Sequence, residues 1–221
     1  MPKHRRNGAE PNDLRTKPGI RNEERWDEIL RAAGSEFNDR GYHASRLQDI
    51  AARVGLLSGS LYYYIDSKED LLFSLAESSM QLALDATIED EATAQSDAIT
   101  RLHTFIQRQM DVYHSLQSPS GGIWREVAWL SDEHQEKIES MRRTLNGFVR
   151  QIIQQGLDQG AFDPELDAGL AASSLFALLS TTRGWATNGR RSLSDIGDWY
   201  ARLLVRGLTR RDHLDTLPPS L

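Results

Sequence analysis

Residues 41–72 read GYHASRLQDIAARVGLLSGSLYYYIDSKEDLL, and this stretch decides the fold. Its first part predicts a short helix, because apolar residues recur there at helical spacing. These residues are Leu47, Ile50, Ala51 and Val54. Ser45 and Gln48 stand three residues apart, which is the spacing of a capping box at a helix start. Gly55 is expected to end the helix, since glycine tolerates the left-handed backbone found at many helix ends.

A second short helix is expected to begin at Ser58, with small or aromatic residues on its exposed side. Those residues are Gly59, Ser60, Tyr62 and Tyr63. Tyr64 faces inward by its spacing from Leu61. Ser67 can cap a third, longer helix that carries Lys68. Two short helices joined by a tight turn are typical of a helix-turn-helix, whose second helix enters the DNA major groove.

This segment strongly resembles the DNA-binding domain of the TetR family of transcriptional repressors. The shared elements are Gly41-Tyr42, Ser45, Asp49-Ile50-Ala51, Gly55, Leu61-Tyr62-Tyr63-Tyr64 and Ser67-Lys68-Glu69-Asp70-Leu71. Two positions depart from the family pattern: Ile65 stands where Phe is usual, and Tyr63 stands where His is frequent. The resemblance implies an all-α protein with a three-helix DNA-binding head and a six-helix body that binds an effector and forms a dimer.

The resemblance also implies which residues contact DNA. They are Ser45, Arg46, Ser58, Ser60, Tyr62, Tyr63 and Lys68. For Tyr62 and Tyr63 the resemblance favours DNA contact over simple packing. A tyrosine hydroxyl can donate to phosphate, and its ring can pack on a thymine methyl group. Lys68 lies at the start of a helix, where the helix dipole also attracts a phosphate.

The distribution of charge fits a DNA-binding head better than the total does. The 221 residues carry a net charge of −6. Residues 1–68 hold 12 Lys and Arg against 10 Asp and Glu, whereas residues 69–221 hold 14 against 22. The basic residues and the lack of periodicity over 1–20 predict a disordered basic arm. The resemblance implies a helix-turn-helix domain over 21–68 and an effector-binding and dimerisation domain over 69–221.

Helical periodicity and turn residues predict one further helix in the head and six in the body. Their expected bounds are 22–40, then 67–92, 98–116, 123–130, 131–159, 164–187 and 192–208. Asp163 and Pro164 are expected to start the sixth of these seven, because proline suits a first helical position. That helix is apolar nearly all round between 168 and 180, which predicts burial on two sides.

A further group of candidate site residues is Trp124, Trp129 and Trp185. Packing in the hydrophobic core is the ordinary role for each of these tryptophans. The resemblance raises an alternative, since the body of such repressors encloses a ligand cavity between helices. The expected lining residues are His103, Tyr113, Trp124, Arg125, Trp129, Arg183 and Trp185. The sequence of the helix-turn-helix segment over 56–72 is most similar to branches of the family that respond to acyl-CoA thioesters. The resemblance therefore implies a small hydrophobic effector.

The resemblance predicts a homodimer formed through the last two helices, which binds a palindromic operator. The expected interface residues are Ala168, Gly169, Ala171, Ala172 and Ser173 on one helix and Tyr200, Leu203 and Leu204 on the other. Two other interpretations are an enzyme, for which no catalytic motif is found, and an architectural DNA-binding protein without a ligand.

The composition excludes several other classes. The absence of cysteine excludes disulfides and thiolate metal sites, and no metal or cofactor is expected. No apolar run is long enough to span a bilayer, and residues 1–19 lack the apolar stretch of a signal peptide, so the cytoplasm is the expected location.

Overall fold

The computed structural model describes residues 20–115, 126–186, 192–210, 212 and 217. Side chains are described within these ranges except at 20–22, 113–115, 180–186, 193 and 194. The described residues form nine α-helices, which confirms the all-α class. The helices are α1 (Ile20–Arg40), α2 (Leu47–Arg53), α3 (Ser58–Leu61), α4 (Lys68–Asp85), α5 (Glu91–Ala94), α6 (Ala98–Ser115), α7 (Asp132–Asp158), α8 (Ala168–Ala186) and α9 (Leu193–Leu208). None of the helices searched within the described part is long and apolar enough to cross a membrane.

Two hydrophobic cores define two parts of the molecule. The head consists of α1, α2 and α3, and its core is built from Ile29, Phe37, Ile50, Leu61 and Ile65 with the first half of α4. The body consists of α4 to α9, and its core includes Leu102, Phe105, Ile106, Val149, Ile152, Leu175 and Tyr200. The basic arm expected over 1–20 lies outside the described residues, apart from the backbone at Ile20.

Helix α4 contributes to both cores. Its first turns place Leu71, Leu72 and Leu75 in the head core, whereas Met80 lies in the body core. The same helix packs against α1 in the head and against α7 in the body. The domain boundary expected at residue 68 coincides with the start of α4. The core of the head continues beyond this boundary into the first turns of α4.

The structure corrects three expected helix bounds. The helix expected over 67–92 ends at Asp85, and Asp90 caps the separate helix α5 by accepting a hydrogen bond from the Thr93 N–H. Of the helix expected over 123–130, the described part is mainly a short 3-10 turn, Val127–Trp129. Helix α8 starts at Ala168 rather than 164, because Asp167 caps it by accepting a hydrogen bond from the Leu170 N–H at 2.7 Å.

Burial along α8 and α9 differs from the expected pattern. Among the described side chains of α8, which end at Leu179, one face is buried, through Ala168, Ala172, Leu175 and Leu179, whereas Leu170 on the opposite face is 70% exposed. On α9, Tyr200 is fully buried in the body core and Trp199 is exposed. The expected interface residues Ala168, Ala172 and Tyr200 therefore pack within their own subunit.

Near its end, helix α7 packs so closely on the ring of Phe162 that Gly156 leaves no room for a side chain. A Cβ atom built at this position would overlap the ring of Phe162, which is fully buried. Gly147, earlier in the same helix, has no neighbouring atom within 4 Å of such a Cβ. The two glycines therefore differ in packing, although both lie inside one helix.

We expect Gly156→Ala to destabilise the protein by about 1–3 kcal/mol, since overpacking forces side chains or backbone to shift. Gly147→Ala is the matched control and should stabilise the protein by up to about 1 kcal/mol, because alanine favours a helix more than glycine does. Urea unfolding followed by circular dichroism measures both. Equal effects of the two substitutions would contradict the close packing of α7 on Phe162.

Candidate nucleic-acid interface

Backbone hydrogen bonds and a left-handed glycine shape the turn between α2 and α3. Gly55 has a φ of +66°, in the left-handed region that glycine adopts without strain. The backbone N–H groups of Gly55 and Leu56 donate to the carbonyls of Ala52 and Ala51 at 3.1 and 2.9 Å. Leu61 at the end of α3 is fully buried in the head core. These contacts fix the orientation of α3 relative to α2.

Helix α3 and the turn after it present two tyrosines to solvent. Tyr62 is 56% exposed and Tyr63 is 77% exposed. Ser58 and Ser60 are half-buried, and Tyr64 packs against the head core, as its spacing from Leu61 predicts. A surface of this kind offers hydroxyl groups to phosphates and ring faces to thymine methyl groups.

Arg46 adds a positive charge next to this surface. It is exposed and occupies the N-cap position of α2, where its backbone is extended. Among the described residues, Arg46 forms no ion pair, whereas the neighbouring Arg40 and Arg53 both bind the buried carboxylate of Glu36. Arg46 is therefore available for a phosphate, while Arg53 joins α2 to Glu36 of α1 and Arg40 of α1 also pairs with Asp49 of α2. We call Arg46, Tyr62 and Tyr63 the recognition surface.

The structure corrects the role of Ser45. Its hydroxyl donates to the carbonyl oxygens of Glu36 and Gly41 at 3.0 and 2.7 Å, and its side chain is buried. The expected capping box with Gln48 is absent, because the N-cap of α2 is Arg46 and makes no side-chain cap bond. Ser45 therefore closes the end of α1, and the DNA contact expected of it stays a prediction.

Lys68 connects the start of α4 to the loop after α1. Its ammonium donates to the carbonyl oxygens of Tyr42 and Ser45 at 2.7 and 3.0 Å, and lies 4.4 Å from the centre of the Tyr42 ring. Burial lowers the pKa of Lys68 below its ordinary value. Two of the three ammonium protons are thus used within the protein, which leaves one for a phosphate. Sequence reasoning found the lysine but missed this structural role.

Glu69 joins α4 to the start of α7, a contact that sequence reasoning did not find. Its carboxylate accepts a hydrogen bond from the Ser131 N–H at 2.9 Å and contacts Nδ1 of His134 at 2.8 Å. The hydrogen bond from Ser131 is the main reason that the pKa of Glu69 lies below its ordinary value of 4.5. His134 also stacks on Phe73 of α4, with ring centres 4.0 Å apart. We call these four residues the head–body junction.

Trp129 lies beside the head and not inside the body. Its ring packs edge-on against His43, with centres 4.2 Å apart, and its side chain is 55% exposed. The Trp129 side chain therefore contacts the head at the surface of the molecule. His103 is half-buried on α6. The side chains of Tyr113, Trp124, Arg125, Arg183 and Trp185 lie outside the described part of the chain.

Arg46 and Lys68 should respond differently to substitution. Arg46→Ala is expected to leave the unfolding temperature unchanged, to weaken binding to all DNA sequences alike and to reduce the salt slope by about one unit, because it loses one phosphate contact. Lys68→Met keeps the apolar stem but loses both carbonyl contacts, so it should also destabilise the protein by about 1–2 kcal/mol. Thermal unfolding and fluorescence anisotropy with labelled duplexes measure the two effects. A Lys68→Met protein as stable as the wild type would contradict the structural role.

Comparison with known proteins agrees with this arrangement. The chain is 28% identical over 191 residues to the HTH-type transcriptional repressor KstR2 of Mycolicibacterium smegmatis, which covers 84% of this chain and 91% of the relative. PfmR of Thermus thermophilus, a TetR family regulator, is similar in structure, with a TM-score of 0.74 and 26% identity over 82% of this chain and 99% of that one.

Two further solved structures share the fold and contain acyl-CoA ligands. AibR in complex with isovaleryl coenzyme A and operator DNA has a TM-score of 0.70 and 23% identity, covering 84% of this chain and 98% of that one. FadR of Bacillus subtilis in complex with stearoyl-CoA has a TM-score of 0.67 and 24% identity, covering 83% and 99%.

Family models match both parts of the molecule. The model of bacterial regulatory proteins of the tetR family matches residues 29–75, which cover the head from the middle of α1 onward and the first half of α4. The model of the tetracyclin repressor-like C-terminal domain matches residues 95–208, which is more than half of the chain. These matches decide against an enzyme, since the proteins of this family are regulators. The chain belongs to the TetR family of bacterial transcriptional regulators.

Proposed function

We propose that this protein is a ligand-responsive repressor that binds a palindromic operator as a homodimer and is released by a small hydrophobic effector. The observation that carries the proposal is the position of α4, which belongs to the core of the DNA-binding head and to the core of the body. Any change in the body that shifts α4 also shifts the head. The proposed location is the cytoplasm, where such an operator would lie.

The recognition surface supports sequence-specific binding to duplex DNA. Tyr62 and Tyr63 are exposed on α3 and the turn after it, and Arg46 supplies a positive charge beside them. Ser58, Ser60 and Lys68 are proposed as additional contacts at the edge of this surface. One head is large enough to read only a half-site, so two heads related by two-fold symmetry would read a palindrome.

Exposed apolar residues on the last two helices support the homodimer. Leu170 of α8 is 70% exposed, and Trp199 and Leu203 of α9 are 47% and 46% exposed. The two helices pack against each other in the subunit. Large apolar side chains exposed together on neighbouring elements are typical of an interface between proteins. A second copy of the same two helices would cover them and form a four-helix interface.

An acyl-CoA thioester is the proposed effector. AibR and FadR, which share the fold, bind isovaleryl coenzyme A and stearoyl-CoA. The body offers an aromatic and aliphatic interior in which Phe105 contacts Phe148 and Phe176 at ring distances of 5.8 and 6.1 Å. The proposed lining residues are His103, Tyr113, Trp124, Arg125, Arg183 and Trp185. An architectural DNA-binding protein without a ligand remains the second candidate, and the titration below separates the two.

The homodimer predicts a selective effect of one substitution. Leu203→Glu should convert the protein into a monomer, because a carboxylate would be buried without a partner at the interface. Leu82→Glu is the matched control: Leu82 is similarly exposed, at 42%, but lies on α4, so the dimer should persist. Sedimentation equilibrium measures the mass of each variant. Dimers of the Leu203→Glu protein would disprove the proposed interface, and a monomeric wild type would disprove the homodimer itself.

The effector proposal predicts that ligand binding and DNA release occur together. Stearoyl-CoA should quench tryptophan emission and dissociate the operator complex over the same concentration range, because a ligand shifts DNA affinity only through its preference for one conformation. Trp124→Phe and Trp185→Phe should reduce the quenching, whereas Trp26→Phe, in the head, should not. Quenching without DNA release would contradict induction by this ligand. If neither stearoyl-CoA nor isovaleryl-CoA has any effect, the proposed ligand class is wrong.

A further inference from the structure

Leu57 is the most exposed large apolar side chain in the described part of the molecule, with 81% of its surface accessible. It occupies the N-cap position of α3, and no side-chain cap bond is formed there. Helices strongly prefer Ser, Thr, Asp or Asn at this position, and leucine is among the poorest choices. In the free protein, Leu57 therefore leaves the start of α3 without a side-chain cap and also exposes an apolar side chain to solvent.

The turn holds Leu57 outward. The preceding residue, Leu56, packs against the head core, and its backbone N–H is bonded to Ala51. The carbonyl oxygen of Leu57 accepts a hydrogen bond from the Ser60 N–H at 2.9 Å. The backbone on both sides of Leu57 is thus fixed, so little backbone freedom would be lost when its side chain meets a partner.

The position of Leu57 on the DNA-binding head limits what that partner can be. Leucine has no side-chain donor or acceptor, so it cannot bond a phosphate. Among the base edges in the major groove, the C5-methyl group of thymine is the apolar feature that a leucine can contact. Leu57 lies at the start of α3, whereas Tyr62 and Tyr63 follow its end, so Leu57 would meet a different base pair from the tyrosines.

We infer that Leu57 is a specificity-determining residue, which selects thymine at one position of each half-site by packing on its methyl group. The inference rests on the proposed function, because it requires that α3 enters the major groove. The test must therefore distinguish loss of sequence-specific binding from loss of this one contact.

Replacement of thymine by deoxyuridine provides that test, since it removes the methyl group and leaves every hydrogen-bonding group in place. A duplex is first selected by the wild-type protein from a random library, and each thymine is then replaced in turn, symmetrically in both half-sites. At one thymine position we expect replacement by deoxyuridine to weaken binding of the wild-type protein. The expected loss is about fourfold for one half-site, as for one buried methyl-sized group, and about fifteenfold when both half-sites are replaced. Leu57→Ala should bind the thymine and deoxyuridine duplexes equally at that position.

Three variants control for indirect effects. Leu57→Met keeps an apolar side chain of similar size and should keep the sensitivity to deoxyuridine. Leu57→Ser restores a capping residue, so it should unfold at the same or a higher temperature while losing the sensitivity. Ile88→Ala removes another exposed apolar side chain, 72% accessible and far along the chain in the body, and should behave as the wild type.

Each outcome of this experiment has a distinct meaning. If the wild type enriches no sequence, the proposed function is wrong and the inference fails with it. If a sequence is enriched but no thymine methyl group matters, or the same one matters equally for Leu57→Ala, the function stands and the role of Leu57 is wrong. Loss of sensitivity in Leu57→Ala and Leu57→Ser, with retention in Leu57→Met, supports the contact.

Discussion

Helix α4 is the element on which the rest of the molecule depends, because it is buried in two cores at once. Its early leucines lie in the core of the head together with residues of α1, α2 and α3, and Met80 lies in the core of the body. Packing in protein interiors is dense, so small displacements of a shared helix are transmitted rather than absorbed. The head cannot change its orientation without a change in α4.

The head–body junction restricts that movement. Glu69 accepts the Ser131 N–H and contacts His134, and His134 stacks on Phe73, so the first turns of α4 are fixed to the start of α7. Because these contacts lower the pKa of Glu69, their contribution to stability is complete above the ordinary carboxyl range and is lost as the pH falls below it. At neutral pH the junction is intact, and a ligand acting on α7 would move α4 with it.

Local chemistry could be predicted from the sequence where neighbouring residues determine it. Gly55 in the left-handed region, Ser67 in a capping box with Asp70 and the exposed Tyr62 and Tyr63 all follow from short-range rules. The rest depended on distant residues. Ser45 is a donor rather than a cap because the end of α1 offers two carbonyls, and Glu69 has partners 62 and 65 positions away.

We propose that operator and effector favour different separations of the two heads in the homodimer, set through α4. Since the chain has no cysteine, Asp27→Cys, an exposed position on α1, carries a single spin label per subunit. Double electron–electron resonance then measures the distance between the heads with selected operator and with stearoyl-CoA. Two distinct distance distributions are expected. A single unchanged distribution, in a protein that stearoyl-CoA still releases from DNA, would contradict this proposal.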